Sequence, residues 1–260
     1  MRVSLSGLVQ GVGFREATRG RAAELGVTGW VRNVDDGAVL VHAEGPGPAV
    51  AQLLEFLHRG PRAADVRELS VEEVRGEGHE QFAIRGVSAG AFVVQQHAAS
   101  TLHFDLRLEL DGVMRSWAVP KGPSLDPAVK RLAVQVEDHS PAHNSFEGAT
   151  ERGAVVVWDR GSYEQGGRVP WPQALERGHA VFVLHGEKLR GGFALQRTAQ
   201  PRAGAGAHAG AGVGAQWLLI KRRDEHARPG SDVVAERPQS VLSARTLQQL
   251  LAVAHPDRRL

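Results

Sequence analysis

Gly7-Leu8-Val9-Gln10-Gly11-Val12-Gly13-Phe14-Arg15 carries the chain out of one regular element, through a glycine loop and into another. Upstream, Val3, Leu5 and Val9 have the spacing of a strand. Downstream, Phe14, Ala17, Ala22 and Leu25 recur at helical spacing, and Gly26 supplies a C-terminal stop. Glycines at 11 and 13 let backbone N–H groups converge on an anion at the helix N-terminus, and Arg15 offers a planar fork matching two phosphate oxygens. Trp30-Val31-Arg32-Asn33 reads as a short strand, turned by Asp35-Asp36-Gly37 into a partner at Ala38–Ala43. Val50, Leu53, Leu54 and Leu57 mark a second amphipathic helix ending near Gly60, and Val66–Val74 and Phe82–Ile84 read as strands. The order βαββαβ predicts a small α+β sandwich with its helices on one face.

These residues resemble the acylphosphatase family over residues 1–86. The family's loop V-Q-G-V-x-F-R stands complete at 9–15, and its G-x-V-x-N…DG segment at 29–37. The resemblance implies a ferredoxin-like fold and hydrolysis of carboxyl-phosphate anhydrides with no metal or other cofactor. It makes Gln10, Gly11, Val12, Gly13 and Phe14 the phosphate-binding loop. Arg15 then binds the phosphoryl group, and Asn33 holds the attacking water. With a good leaving group, such chemistry rests on positioning and charge stabilisation rather than a strong base. Glu16 departs from the aromatic residue common at its position. The competing expectation is a relic domain or passive binding module.

Residues 87–91 read as a linker, after which strand follows strand: Phe92–Gln95, Leu102–Leu110, Ser116–Val119, Leu132–Val136, Ala154–Trp158, Val181–His185, Gly192–Gln196 and Trp217–Lys221. This pattern predicts a small β-barrel or curled sheet. Residues 201–215 are low in complexity and read as a loop between strands, and 229–260 as a tail with one short helix near 245–251. Strict alternation over 102–110 sets His103, Asp105, Arg107 and Glu109 on one side and five apolar residues on the other. Alternation of this kind ordinarily means one wet face. With His97 added, two imidazoles and a carboxylate suffice to hold a divalent ion.

A second resemblance covers about residues 90–228. The run from Phe92 to Pro123, then Lys130–His139, Val157–Gly161, Leu184–Leu189 and Trp217–Lys221, is similar to the 3′-phosphoesterase module of bacterial DNA ligase D. Arg237–Val241 is similar to that family's exit segment. The resemblance implies that His97, His103 and Asp105 bind a catalytic metal, commonly manganese, and that Arg107 and His139 grip the phosphate. From the donor types alone, manganese, zinc and cobalt all remain open. The implied partners are DNA 3′ ends and end-joining repair proteins. Two positions depart from the family: His143 stands where tyrosine is common, leaving its role as phosphate contact or extra ligand open, and the segment after Phe146-Glu147-Gly148 is short. Lys121 lacks the K-x-D-G context of nucleotidyl transfer and reads as a turn. His185 and Glu187 read as turn and packing residues, and Trp117, Trp158 and Trp217 as core.

The whole chain has 260 residues, 31 basic and 29 acidic side chains, and no cysteine. Thiolate metal sites, cysteine nucleophiles and disulfides are therefore excluded. No stretch approaches the roughly 18 apolar residues that cross a bilayer. Residues 1–87 hold 10 Arg and 12 acids, the remainder 21 basic residues and 17 acids, so the two parts differ in sign at −2 and +4. Nine of the 12 histidines fall in the second part. The expectation is a cytoplasmic two-domain phosphohydrolase: acyl phosphates at 1–86, and 3′-phosphates or 3′-ribonucleotides of DNA ends at 90–228. The alternative is a non-catalytic DNA-end scaffold.

Overall fold

The helix expected after the glycine loop forms at Phe14–Leu25 (α1), between strands Arg2–Leu8 (β1) and Thr28–Asn33 (β2). In this computed structural model the described residues are all but 35, 87, 88, 100, 152, 172, 200–213 and 255–260. Most of the low-complexity stretch predicted at 201–215 lies outside them. The described chain divides into two units, Met1–Val87 with Gly167–Gln173, and Ser88–Gly166 with Ala174–Leu260.

In the first unit, Val39–Glu44 (β3), Gly47–Arg59 (α2), Asp65–Glu72 (β4) and Phe82–Arg85 (β5) complete the order. The sheet runs β4-β1-β3-β2-β5, antiparallel except that β5 lies parallel to β2. This is the ferredoxin-like arrangement with one added edge strand. Period two explains the single core: Val3, Leu5, Val31, Val39, Val41 and Ala43 face the helices and pack with Phe14, Ala22, Leu53 and Leu57. The other face carries Arg2, Trp30 and His42, in register across three strands, with the Trp30 and His42 rings stacked at 5.8 Å. Gly29 has φ 134°, and a Cβ there would lie 2.0 Å from the His42 carbonyl oxygen. Only glycine permits β2 to approach β3 so closely, so the first position of the G-x-V-x-N segment is a packing requirement.

The second unit closes on itself. Its strands are Gly90–Ala98 (β6), Leu102–Leu110 (β7), Val113–Val119 (β8), Lys130–His139 (β9), Gly148–Thr150 (β10), Gly153–Gln165 (β11), His179–Gly186 (β12), Arg190–Ala199 (β13) and Gln216–Lys221 (β14). The ladder β11-β12-β13-β14-β9-β8-β7-β6 returns to β11, making an eight-stranded antiparallel barrel, with β10 hung on the start of β11. Between the two alternatives left by the strand pattern, barrel and open curled sheet, pairing of β6 with β11 decides for the barrel. Ala91, expected in the linker, is instead part of β6. Trp117, Trp158 and Trp217 are buried with Tyr163, Phe182 and Phe193, as the core reading expected. Trp117 meets Trp217 edge to face at 6.1 Å, a contact worth about 0.5–1.5 kcal/mol beyond area burial.

A one-turn helix α3 (Gln173–Glu176) follows β11, and the tail adds α4 (Val233–Glu236) and α5 (Leu247–Ala254). The tail is polar in sequence yet fastened to the barrel. Trp158 Nε1 donates to the Arg237 carbonyl at 2.8 Å, Lys188 Nζ donates to the Arg237 and Gln239 carbonyls, and Val241 N donates to the Val157 carbonyl. Leu247 and Leu251 of α5 pack on Ala98, Ala154 and Val156. Among the described residues no helix is long and apolar enough to cross a membrane.

Candidate active sites

The glycine loop is held by one side chain. Gln10 Nε2 donates to the carbonyls of Val34 and Ala38 at 2.9 and 2.8 Å, tying the loop to the β2–β3 hairpin. Gly11 and Gly13 both take left-handed conformations, φ 74° and 73°. Gly13 is the N-cap of α1 and brings no side-chain cap, so the N–H groups of the first turn are left without intrahelical partners. A cavity of about 220 Å³ opens here, lined by Gln10, Gly11, Gly13, Phe14, Arg15 and Asn33 among others. Val12 packs against the helix-side core instead. Arg15 makes no side-chain hydrogen bond or ion pair among the described residues, and the buried Asn33 Oδ1 likewise has no partner among them. A free guanidinium, uncapped helix N–H groups and an orphan amide oxygen thus share one small concavity. That arrangement suits a phosphoryl group and a water. Glu16 also borders the cavity, and its carboxylate forms an exposed pair with Arg19 at 2.7 Å, which offsets its charge.

In the second unit, His97 and His103 are register partners on β6 and β7, and Asp105 lies opposite Gln95. His103 Nε2 is 3.5 Å from Asp105 Oδ1, and His97 Nδ1 is 3.9 Å from Asp105 Oδ2. One donor atom from each of the three lies within 4.8 Å of the others. Arg107 Nη2 stands 3.5 Å from Asp105 Oδ2, and Arg107 Nε is buried with no partner among the described residues. Burial pushes the His97 pKa below its ordinary value, helped by His103 and Arg107 against the pull of Asp105. His97 is therefore neutral near pH 7, the form that ligates metal. The strand does not have the wet face that alternation suggests: Asp105 and Arg107 are 8% and 7% exposed. Burying those charges is costly unless they meet each other or a ligand.

His139 ends β9, its Nδ1 2.8 Å from the Glu137 carbonyl. Burial lowers its pKa, with a further push from the Arg107 and His143 charges, so both act on it electrostatically. His143 sits exposed in the turn Pro141–His143 and is not among the clustered donors. The short segment after Gly148 forms a tight hairpin, Gly148–Thr150 pairing with Gly153–Val155. Gln95 was not anticipated from the sequence. Buried two residues before His97, it donates through Nε2 to the carbonyls of His143 and Phe146 at 3.0 and 3.1 Å, so the strand that carries His97 also holds the His143 turn. Its i, i+2 spacing from His97 was the available signal. His185 pairs with Glu164 at 2.6 Å at the surface, and Lys121 lies in a turn closed by Gly122 N donating to the Val119 carbonyl.

Residues 1–84 match the acylphosphatase family model. An acylphosphatase of Thermotoga petrophila is 48% identical over 85 residues, which is 33% of this chain and 94% of its own length. The chain belongs to the acylphosphatase family. That membership rests on its first domain. Residues 95–197 match the DNA ligase D 3′-phosphoesterase domain. The multifunctional non-homologous end joining protein LigD of Pseudomonas aeruginosa is 48% identical over 181 residues, 65% of this chain and 20% of that protein. LigD of Mycolicibacterium smegmatis is 39% identical over 149 residues, 53% of this chain and 18% of that protein. The chain thus spans about a fifth of the length of the LigD proteins it matches. Both matched families are hydrolases.

In the acylphosphatase domain the loop, Arg15 and Asn33 line one cavity, with Glu16 at its edge. In the phosphoesterase-like barrel, two imidazoles and one carboxylate, all oxygen and nitrogen donors, fit a divalent ion of the manganese-to-zinc series.

Proposed function

We propose that the chain is a two-site phosphohydrolase. The acylphosphatase domain hydrolyses small acyl phosphates without a metal. Its uncapped α1 N-terminus and the free Arg15 guanidinium receive the phosphoryl oxygens, and Asn33 orients the attacking water through its unpaired side-chain oxygen. Charge that develops on the phosphoryl group is met by donors already in place, so little reorganisation is needed.

The barrel removes 3′-phosphates or 3′-terminal ribonucleotides from DNA ends. His97, His103 and Asp105 would hold a divalent ion, manganese first, which when bound polarises a phosphoryl oxygen and makes water acidic enough to attack. Arg107, buried beside Asp105, binds a phosphate oxygen, and His139 at the rim hydrogen-bonds the phosphate and passes a proton to the leaving oxygen. His143, in the turn next to it, is a further phosphate contact. The single observation that carries this reading is the convergence of His97, His103 and Asp105 beside a buried Arg107 with an unpaired Nε. DNA ends in the cytoplasm and the proteins that join them are the proposed surroundings.

One experiment tests both halves. Wild type, Arg15→Ala and His103→Ala are assayed on an acyl phosphate and on 3′-phosphorylated duplex across a manganese titration. Each substitution is expected to silence one activity only. A barrel that binds the duplex but never turns over, at any metal concentration, would make the second unit a scaffold.

A further inference from the structure

On the sheet face away from the helices of the first unit, β3 carries His42 and Glu44 two residues apart, on one side of the strand. The loop between β4 and β5 brings Glu77 and His79 against them. Three backbone N–H groups of that loop donate to the Glu44 carboxylate: Glu77 at 2.6 Å, Gly78 at 2.9 Å and His79 at 3.3 Å. His42 Nε2 lies 2.7 Å from Glu44 Oε1, and His79 Nε2 lies 2.9 Å from Glu77 Oε2. The two imidazole rings meet edge to face with centroids 5.7 Å apart. Both are sealed from solvent, at 0% and 1% side-chain exposure, while the Glu44 and Glu77 carboxylates reach the surface at 15% and 35%.

Two features of this cluster call for an explanation. Nδ1 of His42 and Nδ1 of His79 are both buried with no partner among the described residues. Orphan buried nitrogens in adjacent rings are costly unless something beyond the protein satisfies them. A ring nitrogen of each histidine and an oxygen of Glu44 also lie within 4.8 Å of one another. A tetrahedral zinc ion, with ligands at about 2.0–2.2 Å, would set its donors roughly 3.3–3.6 Å apart, so closure by about an ångström suffices.

We propose that His42, Glu44, His79 and Glu77 form a second divalent-metal site, of the zinc class, that clamps the β4–β5 loop to β3. Two imidazoles with two carboxylates favour zinc or cobalt over magnesium or calcium, which prefer all-oxygen shells. The carboxylates at the rim provide the route by which a hydrated ion reaches the buried rings. None of the cluster's residues lines the cavity at the Gln10–Arg15 loop. His42 pairs with Trp30, three residues along β2 from Asn33. Its role is to stabilise the loop rather than to take part in hydrolysis.

The test counts metal on the untagged full chain by equilibrium dialysis against zinc, with cobalt as the spectroscopic stand-in. His97→Ala/His103→Ala, which strips the barrel cluster, should retain one equivalent. It should also show cobalt bands of tetrahedral intensity and gain thermal stability on zinc addition. His79→Gln in the otherwise native chain should bind one equivalent fewer than wild type. Glu77→Gln removes one carboxylate beside His79, and its pair with Arg2 at 3.6 Å, without changing side-chain size, and should weaken uptake at this site at least about tenfold. The inference is overturned if His79→Gln and Glu77→Gln bind metal as wild type does, or if His97→Ala/His103→Ala takes up none. In either case the cluster is a hydrogen-bonded clip and nothing more. Because these readouts count metal rather than turnover, they stand or fall apart from the two hydrolytic activities.

Discussion

His97 and His103 face each other across the β6–β7 ladder with ring centroids 4.9 Å apart, and both imidazoles address the carboxylate of Asp105. Direct cross-strand pairing fixes the backbone separation of the two histidines, so only side-chain rotation is left to adjust the donor spacing. A site whose backbone is already in place loses less entropy on meeting its ion.

For this reason His103→Ala should lower phosphate release from 3′-phosphorylated duplex at least about 100-fold at saturating manganese, since losing a first ligand costs more than losing its supporting contact. Circular dichroism should be unchanged, because His103 is only partly buried. Release at the wild-type rate would refute the assignment of the cluster.

Arg15→Ala and Asn33→Ala should each reduce acyl-phosphate turnover about 100- to 1,000-fold, the usual loss for one donor or orienting group aimed at developing charge. Arg15→Ala should not affect stability, since the guanidinium has no protein partner among the described residues. Thermal melts run beside steady-state kinetics separate the two effects.

Gly29→Ala should act on folding instead. Its Cβ would fall 2.0 Å from the His42 carbonyl oxygen at φ 134°, which side chains rarely adopt. A destabilisation of about 2–4 kcal/mol follows from such backbone strain and overlap. Urea unfolding followed by tryptophan fluorescence checks it, and a variant as stable as wild type would contradict the close approach of β2 and β3.

Asp224 supplies an acid-sensitive clamp in the barrel. Its carboxylate accepts from Gly192 N and His226 N and pairs with buried Lys221 Nζ at 2.6 Å. Burial alone would raise its pKa, but Lys221 and those N–H groups outweigh it and leave the group below its ordinary 3.8. Burial likewise draws the Lys221 pKa down while Asp224 pulls it up. Three donors converge on the Asp224 carboxylate: Lys221 Nζ, Gly192 N and His226 N. A carboxyl with a depressed folded pKa contributes stability above its unfolded value and loses it as pH falls through the folded one. Asp224→Ala should therefore cost about 3 kcal/mol or more at pH 7, where it strands a buried ammonium. The gap to wild type should narrow below pH 3.8. A pH-independent gap in chemical denaturation would show that packing, not charge, is responsible.

Much of the architecture was written in local pattern. Helical spacing from Phe14 to Leu25 and the strand runs of the barrel need only neighbours a few residues apart, and the structure places α1 and β7 on those residues. The tail's terminal helix is legible near 245–251, but its attachment to the barrel is not, because that is long-range: Lys188 and Trp158 donate to the Arg237 carbonyl from 49 and 79 residues away, and a backbone acceptor leaves no mark in a side-chain pattern. Likewise Gln95 is marked in the sequence only by its i, i+2 spacing from His97, since its partners are the carbonyls of His143 and Phe146.

The loop at residues 9–15, the G-x-V-x-N segment and the alternation over 102–110 belong to the sequence by itself, because each depends on residue type at fixed short spacing. Tertiary structure alone decided three other matters. Pairing of β6 with β11 closed the barrel, which no strand pattern can specify without its partners. Burial of Asp105 and Arg107 overruled the wet face that alternation implies, because strand spacing alone does not report what packs over a face. And His42 met His79, 37 residues apart in the chain, only because folding brought the β4–β5 loop onto β3.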